Sequence, residues 1–353
     1  MLAVALTRET LEQQADRIER VLASHRVPAR VHGGSVSPRW IRFMVTPGLG
    51  AKVASVRSLS EELAMALGAD EVRVARDGEA LAVEVPRRDA QPVRLLTLLR
   101  ELSDIPPLTT CLGLADDGRP LLLRLPSPDV AHVLVAGMTG SGKTELMRTM
   151  IVSLALTNRQ SRLQMALIDP KSRGFAPLAG LPHLLDGVAS DAAAALALLD
   201  RLMAEMERRD GQGITSPHIL IAVDELLDLL VADELAGRRV THSGYTVEQA
   251  LTRIAQRGRE AGLHLIAGAQ KPSTAAIGAM LKANFPVRLV GKVASADDAR
   301  VAAGQGGTGA EKLGGSGDFI ALAAGQMIRF QAAWIPAQDW AKIMSGAAVD
   351  DEG

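Results

Sequence analysis

Cysteine and net charge are what this chain has least of. Its 353 residues include one cysteine, Cys111, so no disulfide can form within the chain. The apolar stretch around that residue reads as the setting of a small buried side chain in a reducing cytoplasm. Thirty-nine basic side chains stand against forty acidic ones, a formal net charge of −1. No global basic field therefore advertises nucleic acid, and any such contact has to come from local loops or from a ring of subunits. No apolar run approaches the length of a membrane span, and the first residues carry acids and glutamines where a signal peptide would carry an apolar core. With 47% hydrophobic and 22% charged residues, the composition is globular and argues against disorder.

What is present is concentrated in one stretch. From His132 to Thr144 the chain reads H-V-L-V-A-G-M-T-G-S-G-K-T, an apolar run that breaks into glycines and fits the spacing of a phosphate-binding P-loop. Gly137, Gly140 and Gly142 let the backbone turn its N–H groups around a polyphosphate, with Met138, Thr139 and Ser141 completing the loop. Lys143 is placed to reach the β- and γ-phosphates, and Thr144 to put its hydroxyl on Mg²⁺. Glu145 and the residues after it have helical spacing, so the loop feeds a helix N-terminus that favours anions. Binding of ATP or GTP is the reading these residues carry.

Around that stretch two regions separate. Residues 8–24 place Leu11, Ala15, Ile18 and Leu22 on one face, with Thr10 and Gln13 spaced as a capping box, so an amphipathic helix is predicted. Two β-like runs follow, then a helix expected to start at Ser58 with Glu61 three residues on, and to stop at Gly68. Asp77-Gly78 signals a hairpin. A proline- and leucine-rich passage from Pro86 to about Pro128 reads as a linker. Beyond it strands and helices alternate, which argues a parallel sheet covered on both faces. The expected layout is a small α+β domain over 1–105, an α/β P-loop domain with a mainly parallel sheet over 106–340, and a tail over 341–353.

The run I-L-I-A-V before Asp224 and Glu225 supplies what a P-loop enzyme needs on a neighbouring strand. Asp224 is expected near Mg²⁺ and Glu225 to orient or deprotonate the attacking water. A strand ending at Asp169 suggests that another strand separates the P-loop strand from the acidic one, a RecA-like arrangement. Gln270, at the end of a later strand, is placed to face the γ-phosphate beside Glu225, the alternative being an amide that ties down a strand end. Arg253, Arg257, Arg259 and Arg300 are candidates for an arginine that completes a neighbouring subunit's site.

From about Val130 to Trp334 the chain resembles the motor domain of the FtsK/SpoIIIE family. The resemblance is carried in order by the P-loop stretch, L-I-D-P-K, G-L-P-H-L-L, I-A-V-D-E-L-L-D-L, R-E-A-G-L-H-L-I-A-G-A-Q-K-P, L-K-A-N-F-P-V-R and G-A-E-K-L-G-G-S-G-D. The segment T-P-G-L-G-A-K-V-A-S-V-R-S-L-S-E-E-L-A-M-A-L-G resembles the small domain that precedes that motor. The resemblance implies an ATP-driven, hexameric, double-stranded DNA translocase with nucleotide between subunits and DNA through the middle. It ranks Arg259 first and Arg300 second as the trans arginine. It also makes Lys271, Lys282, Arg288, Arg238 and Arg239 the basic candidates for DNA contact.

Three departures from the family pattern stand out: Lys271 where arginine is common, G-G-S-G-D for the usual G-x-G-D segment, and Ala296 at a position often basic. Full-length chromosome partitioners of the family carry membrane helices ahead of the motor and a winged-helix DNA reader behind it. This chain ends shortly after the motor segment, so the expectation is a stand-alone cytoplasmic motor, or one whose membrane or DNA-orienting parts come from a separate partner. An FtsK-like ATPase that drives protein secretion is the competing reading.

Overall fold

The computed structural model describes residues 7–77, 80–87, 92–237, 239–242, 244–270 and 279–345. The chain divides into two compact units, Met1–Pro92 with Leu114–Arg119, and Val93–Gly113 with Pro120–Gly353.

In the first unit α1 (Arg8–Ser24) precedes strands β1 (Ala29–Val36) and β2 (Trp40–Pro47), the short helices α2 (Val53–Arg57) and α3 (Ser60–Leu67), and the hairpin β3 (Arg73–Asp77) and β4 (Ala80–Pro86). The four strands form an antiparallel sheet in the order β1-β2-β4-β3. Ile18 and Leu22 of α1, Leu63 and Leu67 of α3, and Phe43, Val45, Leu81 and Val83 of the sheet make one core. The capping box of α1 sits one turn earlier than expected. Thr7 is its N-cap, and the Thr7 side chain accepts from the Thr10 N–H while the Thr10 hydroxyl accepts from the Thr7 N–H. The predicted Ser58 cap is likewise corrected. Ser58 closes α2, and α3 begins after Leu59 without a side-chain cap. Its end is as predicted, with Gly68 left-handed at φ 62°.

The second unit begins with α4 (Leu95–Glu101), within the passage whose prolines and leucines suggest a linker. The Leu95 N–H donates to the Trp334 carbonyl at 3.0 Å and the Trp334 N–H to Val93 at 2.7 Å, so this segment folds with the second unit. The rest of that supposed linker supplies two strands, β5 (Thr109–Ala115) and β6 (Pro120–Arg124). The elements that follow are β7 (Val133–Ala136), α5 (Lys143–Thr157), β8 (Leu163–Ile168), α6 (Ala192–Gln212), β9 (His218–Val223), α7 (Leu226–Leu235), α8 (Val247–Arg257) and β10 (Leu263–Ala269). The unit continues with α9 (Ala279–Ala283), β11 (Val287–Val290), α10 (Ala296–Ala303), β12 (Asp318–Ala323), β13 (Gln326–Ala332) and α11 (Trp340–Met344).

Nine strands form one sheet in the order β6-β5-β13-β12-β11-β7-β10-β9-β8. Strands β11, β7, β10, β9 and β8 are mutually parallel, whereas β11–β12 and β12–β13 pair antiparallel. The parallel strands are buried along their length, as a sheet covered on both faces requires. A strand does separate the P-loop strand β7 from the acidic strand β9, as predicted, but it is β10. Strand β8, which ends at Ile168 just before Asp169, lies at the outer edge instead. One face is packed by α6, α7 and α8 through Leu199, Leu202, Met206, Leu229, Leu251 and Ile254.

Candidate functional site

The site forms where β7, β9 and β10 end together, at the carboxyl ends of parallel strands, where α/β sheets bind ligands. β7 passes into Gly137, and the loop returns as α5, whose first residue is Lys143. Gly142 is the N-cap at φ 95° and offers no side-chain cap, so the first N–H groups of α5 are left for an anion. A side chain could not replace it: a Cβ there would lie 2.9 Å from the Gly317 nitrogen. That approach is part of a clamp, since the Ser316 N–H donates to Gly140 at 3.0 Å and the Gly317 N–H to Ser141 at 2.8 Å. The G-G-S-G-D departure from the family pattern thus bears directly on the P-loop. Met138, Thr139 and Gly140 are exposed, while the Ser141 hydroxyl is buried without a hydrogen-bond partner among the described residues.

Lys143 turns across the sheet. Its ammonium donates to Glu225 Oε2 at 2.7 Å and to the Asp224 carbonyl at 2.6 Å. The Thr144 hydroxyl donates to Asp224 Oδ1 at 2.9 Å. Glu225 Oε1 accepts from the Gln270 N–H at 3.1 Å. Lys143, Asp224 and Glu225 are all buried, at 8, 7 and 4% exposure. Glu225 is the N-cap residue of α7 rather than part of the strand, and Asp224 lies just beyond β9. The structure therefore brings together Lys143, Thr144, Asp224, Glu225 and the Gln270 backbone. The Gln270 residue is exposed. Lys171 joins the periphery: Asp228 holds its ammonium at 2.5 Å, and that bond, with Glu225 and Asp224 nearby, raises its pKa above the usual lysine value.

A model of the FtsK/SpoIIIE family matches residues 103–215 and 210–274, and one of the FtsK alpha domain matches residues 3–87. The chain belongs to the FtsK/SpoIIIE family. DNA translocase SftA of Bacillus subtilis (strain 168) is 31% identical over 364 residues, covering 95% of this chain and 37% of that protein. DNA translocase SpoIIIE of the same organism is 31% identical over 371 residues, 96% of this chain and 45% of that one. The chain thus spans less than half the length of these relatives. Among solved structures, the pCW3 conjugation coupling protein TcpA, a monomer form with ATPγS, aligns at a TM-score of 0.61 and 17% identity over 94% of this chain and 99% of that one. The cytoplasmic domain of the Thermomonospora curvata type VII secretion ATPase EccC aligns at 0.59 and 25% identity, over 73% of this chain and 34% of that chain. The fold is that of P-loop ATPases.

For this family member the remaining candidate residues scatter. Arg253 pairs with Glu207 at 3.2 Å and lies over the Tyr245 ring, and Arg257 pairs with Asp210, so both are engaged on their own subunit. Arg259 lies just before β10, at the end of that strand opposite Gln270, with one guanidinium nitrogen 3.5 Å from the Pro128 carbonyl. Arg300 is exposed, 3.7 Å from Asp297 on its own helix. Two of the DNA candidates are at least partly buried within the unit. Arg288 is half-buried and directs its guanidinium at the carbonyls of Ala302 and Lys282, both at 3.4 Å, and Lys282 is itself buried. Burial lowers the pKa of both, and the Arg288 guanidinium reaches a backbone carbonyl in each of α9 and α10. Arg239 is exposed, and Lys271 and Arg238 lie outside the described residues.

Proposed function

We propose that this chain is the ATP-hydrolysing motor of a double-stranded DNA translocase, working in the cytoplasm as a ring, with six subunits as the family resemblance implies. The observation that carries the reading is the crossing of two pairs at the P-loop: Lys143 with Glu225 at 2.7 Å and Thr144 with Asp224 at 2.9 Å. The relatives at 31% identity, named as DNA translocases, match more than nine-tenths of the chain and favour DNA over polypeptide as the cargo.

The roles follow from position. The glycine loop and the uncapped start of α5 present N–H groups to the phosphates, and Lys143 neutralises their outer charge. Thr144 and Asp224 supply two oxygens suited to Mg²⁺, a hard cation that takes its other ligands from phosphate and water. When bound, the ion would neutralise charge that builds on the phosphates as the terminal bond breaks. Glu225 accepts the proton of the attacking water, and the Gln270 N–H orients its second oxygen.

The test is ATP turnover with several unrelated duplexes of equal length across a salt series. Stimulation by all of them that falls steeply with salt is expected, because phosphate contacts dominate such binding and carry no sequence information. No stimulation by any duplex at low salt would sink the translocase, and stimulation by a polypeptide instead would establish the secretion reading.

A further inference from the structure

We propose that Arg148 is a positioning residue for the metal-side carboxylate, acting through the backbone of Gly174. The inference rests on the reading of Asp224 and Thr144 as the magnesium side of the site.

Arg148 lies one turn beyond Thr144 on α5, on the same face of that helix. Its guanidinium donates to three acceptors: the Glu145 carboxylate, the Gly174 carbonyl, and the Arg173 carbonyl at 3.0 Å. The strap therefore ties the 170–174 loop to the helix that carries Thr144. Asp169, fully buried, closes the same loop from below: its carboxylate accepts from the Lys171 N–H at 3.1 Å and the Phe175 N–H at 3.0 Å.

What that loop delivers is Gly174. A Cβ built there would lie 2.2 Å from Asp224 Oδ2, so the bare backbone packs against the carboxylate on the side opposite Thr144. Gly268 does the same for the Asp224 main chain, where a Cβ would come within 2.0 Å of its carbonyl oxygen. Asp224 is thus held between a hydroxyl donor at Oδ1 and a glycine wall nearest Oδ2. Releasing the wall frees the carboxylate to rotate, which weakens a site whose geometry a small octahedral ion requires. The phosphate-binding N–H groups and Lys143 are not touched by that change.

The test measures Mn²⁺ uptake by electron paramagnetic resonance in the presence of ATPγS, beside ATPγS binding in EDTA. Arg148→Ala is expected to raise the Mn²⁺ dissociation constant about tenfold, with metal-free ATPγS binding within about twofold of wild type. Gly174→Ala, which pushes on Asp224 from the wall itself, should do at least as much, and Arg148→Lys should recover part of the loss. Wild-type Mn²⁺ affinity in both the Arg148→Ala and Gly174→Ala proteins would overturn the proposal. So would an equal loss of metal-free binding, which would mark a general structural role. A wild-type protein that binds no ATPγS would overturn the nucleotide reading, and this inference with it, a result distinct from variants that match a competent wild type.

Discussion

Strands β7, β9 and β10 carry buried ionisable groups at both ends, and the two ends handle burial in opposite ways. At the carboxyl ends, an ammonium and a carboxylate meet at 2.7 Å and a hydroxyl donates to a second carboxylate at 2.9 Å. At the amino ends stand three imidazoles: His132 just before β7, His218 opening β9 and His264 entering β10. Their partners are a backbone N–H, a backbone carbonyl and each other. Leu265 N–H donates to His132 Nδ1 at 3.0 Å, His264 Nδ1 lies 3.1 Å from the Ala131 carbonyl, and His218 Nδ1 lies 2.9 Å from His264 Nε2. That pattern assigns neutral tautomers. Burial pushes His132 down to about 4 and His264 to about 3. A large pKa displacement is therefore no marker of the reactive end here. What marks it is opposed charge beside a glycine-lined loop at the ends of parallel strands where ligands bind.

The largest expected effects are at the charged end. Lys143→Ala should abolish measurable nucleotide binding, since the phosphates lose their cation. Glu225→Gln should keep binding and lose about 10²- to 10⁴-fold in turnover, the range for removal of a general base. Direct binding with a fluorescent nucleotide, beside single-turnover phosphate release, separates the two. Wild-type turnover by Glu225→Gln would leave the carboxyl end without its base and break the contrast.

Arg259 sharpens it from the other side. It shares the histidine end of β10, so any part it takes in hydrolysis belongs to a neighbouring subunit's site. Arg259→Ala should depress turnover at least about tenfold with nucleotide affinity intact, because such an arginine acts on the transition state. Mixing it with Glu225→Gln should restore activity above either parent. A mixture as inactive as both would place Arg259 outside the shared site.

The charged end was legible in the sequence because its chemistry is local: six loop residues and a lysine in fixed spacing, then two acids after an apolar strand. The strand order was half legible. That a strand intervenes between β7 and β9 followed from the pattern, but β8 and β10 are equally apolar and only tertiary pairing tells which one it is. The Arg148 strap, the Gly174 wall and the Gly317 clamp were not legible, since each depends on segments far apart in sequence meeting at backbone distance. The burial of Lys282 and the carbonyl contacts of Arg288 were not legible either, because a basic residue near a strand end looks the same in sequence whether it faces solvent or packs inward. The β5–β6 hairpin was hidden by prolines at its borders, which read as a linker until the sheet accepts both strands.

The smallest expected effect concerns the histidine end and appears as stability against pH. In the unfolded chain these imidazoles titrate near 6.5, whereas in the fold His132 and His264 hold no proton until about 4 and about 3. Between those values the unfolded state binds more protons, so stability is fully present above 6.5 and is lost as pH falls toward the folded values. The slope is about 1.4 kcal/mol per pH unit for each histidine that stays neutral. Among the carboxylates, Glu205 is held at about 2 by Arg208 and Arg209, and its own contribution is lost only below its unfolded value of 4.5. The window from 6.5 down to 4.5 therefore isolates the imidazoles from that ion pair. Urea midpoints taken across this window should fall steadily for the wild type and for Glu225→Gln in parallel. His264→Gln, though less stable at neutral pH for the bond it loses, should show a slope shallower by about one proton. A His264→Gln slope equal to that of the wild type would mean that the imidazole is already protonated in the fold, and the contrast between the two strand ends would fail.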